Sequence, residues 1–119
     1  MASNFIKVAL ISGNPLEVHI KGSGNTLGDV LKAIKEASGK DANPDDHTLF
    51  DLGLDSMDMA AVCSALEEVY GMVEQDWTDY WIAKNTEQLL TGSYTNTPRL
   101  MAKYIDGIQA TRNAGRPNE

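Results

Sequence analysis

The stretch Leu52-Gly53-Leu54-Asp55-Ser56-Met57-Asp58 marks the point at which an apolar loop gives way to a helix-like segment. A serine in the first turn of a helix is exposed, and its hydroxyl can cap the free backbone N–H groups there. Ser56 is therefore the first candidate functional residue, with the acid Asp55 beside it. Downstream, apolar side chains recur at intervals of three and four, the period of a helix with one buried face. They are Met59, Val62, Cys63, Leu66, Val69 and Tyr70.

Three more helices are predicted on the same grounds. Thr26 is a candidate cap for the first helix, Gly39 and Gly71 are stop signals, and Pro98 suits a first helical position. A long loop, Lys40 to about Asp55, follows the first helix. The fold class is all-α, a small four-helix bundle with a long first loop. The predicted helices are Thr26–Ser38, Ser56–Tyr70, Asp76 to about Leu90, and a last one from near Pro98.

Burial is expected wherever large apolar side chains occur in these segments. The loop supplies Leu49, Phe50, Leu52 and Leu54 as anchors on the bundle. The third helix supplies Trp77, Trp81, Ile82, Leu89 and Leu90. The inner face of the fourth is expected to comprise Leu100, Met101, Tyr104, Ile105 and Ile108.

The two ends of the chain differ from the helical part. Residues 16–21 alternate in polarity and Phe5 to Ile11 is a β-rich run, and the turn-like Ser12-Gly13-Asn14-Pro15 between them permits an N-terminal β-hairpin. We divide the chain into an N-terminal extension of hairpin and linker (1–25), a helical domain (26–110) and a disordered tail (111–119).

The charge distribution restricts the classes of partner. The net charge is −7, and from Asp41 to Asp79 there are 11 acids without a lysine or arginine. Such a field repels nucleic acid and attracts proteins with basic patches. No apolar run is long enough to predict a membrane span, and no signal-peptide pattern is present. Cys63 is the only cysteine, so no intramolecular disulfide can form. A cytoplasmic monomer is expected.

Motifs of enzymes and metal sites are not fulfilled. Ser56 lacks the flanking glycines of a nucleophile elbow. His19 and His47 do not have zinc-ligand spacing to Cys63. The stretch that begins at Asp41 lacks the glycine and the final glutamate of a calcium loop. We therefore predict no catalytic residue and no metal site.

The run Leu52 to Asp58, continued by Ala65-Leu66-Glu67-Glu68-Val69-Tyr70, resembles the attachment motif of acyl carrier proteins. The resemblance covers roughly Thr26 to Gly107. It implies that a phosphopantetheinyl transferase, with magnesium, moves 4′-phosphopantetheine from coenzyme A onto Ser56. The arm would then carry acyl groups as thioesters for fatty-acid, polyketide or specialised lipid synthesis, and the protein itself would not be an enzyme.

The resemblance also implies roles for neighbouring residues. Asp55 and Met57 would flank the cofactor, and acids would meet basic patches on a synthetase, ketosynthase or acyltransferase. The acids are Asp55, Asp58, Glu67 and Glu68, and the acyl-pocket candidates are Met59, Val62, Cys63 and Leu66. Glu74-Gln75-Asp76-Trp77-Thr78 and Met101 to Asp106 are also similar to specialised carriers of bacterial lipid pathways. Cys63 is expected to be a buried small hydrophobe.

Two other functions remain open. One is a carrier of amino or aryl acids, although Leu54 interrupts the pattern common in those carriers and the acidity favours acyl groups. The other is an unmodified helical interaction domain whose hairpin pairs with the sheet edge of a partner.

Overall fold

The computed structural model describes residues 18–114, and within this range it contains four α-helices and no strand. The prediction of an all-helical bundle is confirmed. The bounds of α1 and α2 agree with the sequence prediction, whereas α3 begins two residues before Asp76 and ends one after Leu90. The helices are α1 Thr26–Ser38, α2 Ser56–Tyr70, α3 Glu74–Thr91 and α4 Pro98–Ala114.

The ends of the chain are only partly tested. Most of the predicted hairpin lies outside the described residues, and residues 18–21, which were assigned to its second strand, have no regular structure. Helix α4 continues to Ala114, so the first four residues of the predicted disordered tail are helical. Residues 115–119 lie outside the described range.

Local capping explains where α1 begins and ends. The cap is Asn25 and not Thr26 as predicted, because the Asn25 side chain accepts a hydrogen bond from Gly28 N at 3.0 Å. The Thr26 hydroxyl instead donates to Asp106 of α4 at 2.6 Å. Gly39 ends the helix with a φ of 76°, a left-handed conformation that glycine adopts without strain.

The core lies where α1, α2 and α4 meet. Its fully buried side chains follow the helical period on each of these helices, as the pattern predicts. Burying a side chain of the size of leucine or isoleucine contributes about 1.5–3 kcal/mol. This core holds α2, and therefore Ser56, in a fixed orientation. The side chains at its centre are Val30, Ala33, Ile34, Val62, Leu66, Met101 and Ile105.

Both halves of the long loop between α1 and α2 contact the helices. Leu52 and Leu54 are buried anchors as predicted, but Leu49 and Phe50 are 51% and 69% exposed, so that part of the prediction is wrong. The first half of the loop is fixed to α4, where both side-chain nitrogens Nε and Nη2 of Arg99 bind the Asp45 carboxylate.

Helix α3 packs on the rest of the molecule mainly through aromatic side chains near its start. Trp77 and Tyr80 are buried. Ile82, Leu89 and Leu90 are 57%, 86% and 81% exposed, so the prediction of their burial is wrong. Because the side of α3 that carries Leu89 and Leu90 has no covering element within residues 18–114, hydropathy alone overestimated the buried part of this helix.

Candidate modification site and adjoining groove

Ser56 is the first residue of α2, and its side chain is exposed. The sequence suggested that its hydroxyl caps the helix, but Asp55 is the cap. Asp55 accepts a hydrogen bond from Asp58 N at 2.8 Å, and Asp58 accepts one from Asp55 N at 3.2 Å. This reciprocal capping leaves the Ser56 hydroxyl without a hydrogen-bond partner among residues 18–114. The hydroxyl is therefore free to react.

The first turn of α2 also retains donors for an anion. The first four N–H groups of a helix have no intrahelical acceptor. The reciprocal cap satisfies those of Asp55 and Asp58, and Met59 N makes the first intrahelical bond, to Asp55 O. The N–H groups of Ser56 and Met57 remain, and the helix dipole adds a partial positive charge. The carboxylates of Asp55 and Asp58 offset this positive charge. The first turn therefore offers an anion directed N–H donors more than a net positive charge.

The turn that precedes Ser56 is held by backbone hydrogen bonds. Leu54 N donates to Thr48 O at 2.9 Å, and Gly53 N donates to Leu49 O at 3.1 Å. Gly53 has a φ of 64°, so a residue with a side chain would be strained there. The Lys40 ammonium donates to the Leu52 carbonyl. These contacts fix the direction from which the loop enters α2.

A groove of about 650 Å³ opens beside Ser56, between the loop, α2 and α3. Its exposed lining is mainly apolar, and Ser56 itself forms part of the wall. The element that contributes most lining residues is α3, through one of its sides. The lining residues are Thr48, Leu49, Phe50, Leu54, Asp55, Ser56, Met59, Ala60, Cys63, Glu74, Trp77, Thr78, Trp81, Asn85, Gln88 and Tyr94.

The four acyl-pocket candidates of the sequence separate into two pairs. Met59 and Cys63 line the groove. Val62 and Leu66 are fully buried in the core and are not among its lining residues. The apolar stripe of α2 is wide enough to contact both the core and the groove, and only the edge of the stripe faces α3. Met57 is half-buried beside the groove without lining it.

The sequence did not predict that aromatic side chains of α3 line a groove. Trp77 and Trp81 stack with their ring centroids 6.2 Å apart, and Trp77 meets Tyr80 edge-on at 5.3 Å. The sequence indicated both tryptophans only as core residues. The missed groove residues Asn85 and Gln88 continue the same side of α3, at four and seven positions beyond Trp81. The helical period could have found them once the position of Trp81 was known.

The groove contains no activated nucleophile. Burial raises the pKa of the Cys63 thiol, with a smaller effect of Glu67 in the same direction. A neutral, buried thiol behaves as a small apolar group, which agrees with the prediction for Cys63. Burial likewise raises the pKa of Tyr94. Within residues 18–114, no group of three or more His, Cys, Asp or Glu side chains could hold a metal ion.

The four candidate contact acids are not equivalent. Asp55 and Glu68 are exposed, and Glu68 lies 3.2 Å from His19 Nδ1. Asp58 is engaged in the cap. Glu67 is half-buried, its Oε2 has no partner among the described residues, and burial followed by the charges of Glu74 and Asp76 raises its pKa. Glu67 is thus less available to a partner than the sequence suggested.

Residues 28–73 match the family model of the phosphopantetheine attachment site, a segment that includes Ser56 and all of α2. The match is consistent with the acyl carrier protein family, and a domain of this kind is where 4′-phosphopantetheine is attached covalently. Comparisons with curated proteins and with solved structures found no match. In the part of the chain that the structure describes, no helix is long and apolar enough to cross a membrane.

Proposed function

We propose that this protein is an acyl carrier and that Ser56 bears the 4′-phosphopantetheine arm. One observation carries the proposal: Ser56, in the first turn of α2, has an exposed hydroxyl that does not cap the helix, and it lies on the wall of a large apolar groove. The surrounding segment is the one that matches the attachment-site family. The carrier domain would comprise residues 26–110.

The residues around Ser56 fit the group. The N–H groups of Ser56 and Met57 can donate to the phosphodiester, as α-helix N-termini do for phosphates. When bound, the arm supplies a thiol that holds the acyl group as a thioester. The groove begins at the attachment residue, and its apolar wall can shelter a chain from water. Burying a methylene group there would contribute about 0.8 kcal/mol.

The apolar groove supports an acyl group over an amino acid as the cargo. A free amino acid carries an ammonium group, which is costly to remove from water without a paired carboxylate. Cys63, Trp77 and Trp81 give the groove an uncharged surface, and the carboxylates in its lining are those of Asp55 and Glu74. An aryl acid is the runner-up because flat aromatic rings can stack on indoles. An unmodified interaction domain is the other alternative.

Carrier domains interact with a transferase and with catalytic enzymes, and they are generally not catalytic themselves. We propose that Asp55, Asp58 and Glu68 meet basic patches on those enzymes, with Glu67 contributing less. Opposite charges of this kind raise the association rate more than the affinity. Association that slows steeply with added salt would support this role.

The test is the intact mass before and after incubation with a broad-specificity transferase, magnesium and coenzyme A. A gain of one phosphopantetheinyl group is expected for the wild type and for Ser64→Ala, a control on the same helix, and no gain for Ser56→Ala. A folded sample without any gain would contradict the carrier and favour the interaction domain. The hydrolysis rates of a fatty-acyl and an aryl thioester on the arm would then be compared, because the cargo that fits the groove should be hydrolysed more slowly.

A further inference from the structure

The groove changes in polarity along α3. The groove-lining residues on the first half of this helix include the stacked indoles of Trp77 and Trp81. Those on its last half are Asn85 and Gln88, which carry exposed side-chain amides. Neither amide has a hydrogen-bond partner among residues 18–114. The side-chain amides on the groove wall of α3 are therefore confined to its last half, whereas its first half contributes the two indoles together with Glu74 and Thr78.

The amide end of α3 lies at the same end of the groove as Ser56. Helices α2 and α3 are joined by only three residues, Gly71 to Val73, so the end of α2 lies next to the start of α3. Two pairs of residues indicate how the helices face each other: the charge of Glu74 raises the pKa of Glu67, and Cys63 and Trp81 both line the groove.

The same pairing can be followed for one or two further helical turns, toward the start of α2 and the end of α3. Four positions before Cys63 is Met59, and four positions after Trp81 is Asn85. Ser56 then falls opposite Gln88. Cys63 lies seven residues beyond Ser56, which is roughly 10 Å along a helix. The order along the groove is therefore the attachment residue and amides first, then the indoles.

We propose that Asn85 and Gln88 hydrogen-bond the amide groups of the phosphopantetheine arm and so hold it against α3. This inference rests on the proposed attachment at Ser56. In the arm, both amides lie between the phosphate and the thiol, which matches the order of the side-chain amides and then the indoles along the groove. Side-chain amides suit this task because each offers both a donor and an acceptor. The thioester-linked chain then lies against Trp77 and Trp81.

The experiment compares the loaded wild type with loaded Asn85→Leu/Gln88→Leu, after intact mass has established loading of both. Gln75→Leu is the matched control, because Gln75 is an exposed glutamine on the same helix that does not line the groove. The arm is labelled with ¹⁵N, and the hydrogen exchange of its amides is measured by NMR. The side-chain amide signals of Asn85 and Gln88 are compared between unloaded and loaded protein.

In the loaded wild type and in the control, we expect the arm amides to exchange about two- to tenfold more slowly than in free coenzyme A. The double variant should return exchange to the free rate while loading normally. Arm amides that exchange at the free rate in the loaded wild type would overturn the inference, as would slow exchange that survives in the double variant. Failure to load Ser56 would instead overturn the proposed function, and this inference with it.

Discussion

Replacing Asn96 with alanine tests how the loop that leads to Ser56 is held beside the groove. Asn96 is 2% exposed, its Oδ1 accepts a hydrogen bond from the Tyr80 hydroxyl at 2.5 Å, and its Nδ2 donates to Thr48 Oγ1 at 3.0 Å. Thr48 N in turn donates to the Asn96 carbonyl at 3.0 Å. One side chain thus joins the loop, α3 and the segment before α4.

The expected loss of stability follows from the groups that remain. Asn96→Ala leaves the buried hydroxyls of Tyr80 and Thr48 without this partner, at about 1–3 kcal/mol each. The backbone hydrogen bond persists, so a total of about 2–6 kcal/mol is expected. That is a large part of the roughly 5–15 kcal/mol by which a domain is stable.

Urea unfolding followed by tryptophan fluorescence measures this change. With a slope of about 1.5 kcal/mol per molar, the midpoint should fall by roughly 1.3–4 M. The matched control is Asn85→Ala, which removes an exposed amide without a partner in the described chain and should change stability by less than about 0.5 kcal/mol. Tyr80→Phe completes a double-mutant cycle with Asn96→Ala, and a coupling of about 0.5–3 kcal/mol is expected. Additive losses would refute the network.

Three further changes test the cap, the exposed helix face and the buried acid. Asp55→Ala should cost about 0.5–2 kcal/mol because it removes the cap of α2; an unchanged urea midpoint would speak against that cap. Leu89→Ser should alter the unfolding free energy by at most about 0.5 kcal/mol, since Leu89 is 86% exposed; a loss of the size seen for core residues would show that this face is covered. The pKa of Glu67 is raised in the folded protein, first by burial, so the native state holds its proton more tightly than the unfolded chain. Stability from this group is present at low pH and is lost as pH rises through the folded pKa. Glu67→Gln should therefore be more stable than the wild type at neutral pH and should lack this decline. Urea midpoints of both proteins are measured as the pH rises through the range in which carboxyl groups titrate. An equal fall in both proteins would contradict the raised pKa of Glu67.

The boundaries of the helices could be predicted because their signals are local. Gly39 and Gly71 end α1 and α2 in the left-handed conformation that glycine favours, and both stops were read correctly. The caps were each misplaced by one residue, to Thr26 and Ser56. Neighbouring polar side chains can all cap a helix, and the choice depends on which backbone leaves the helical conformation first.

The sequence by itself determined the helical segments, the position of Ser56 at the start of α2 and the acidic charge around it, because each depends on neighbours along the chain. Only the tertiary structure decided that Met59 but not Val62 borders the groove, and that Leu89 is exposed. These outcomes depend on which side of each helix another element covers. The position of α3 against α4 depends on the ring contacts of Trp77 and Tyr80 with Tyr104, and a pattern of apolar residues does not contain that choice.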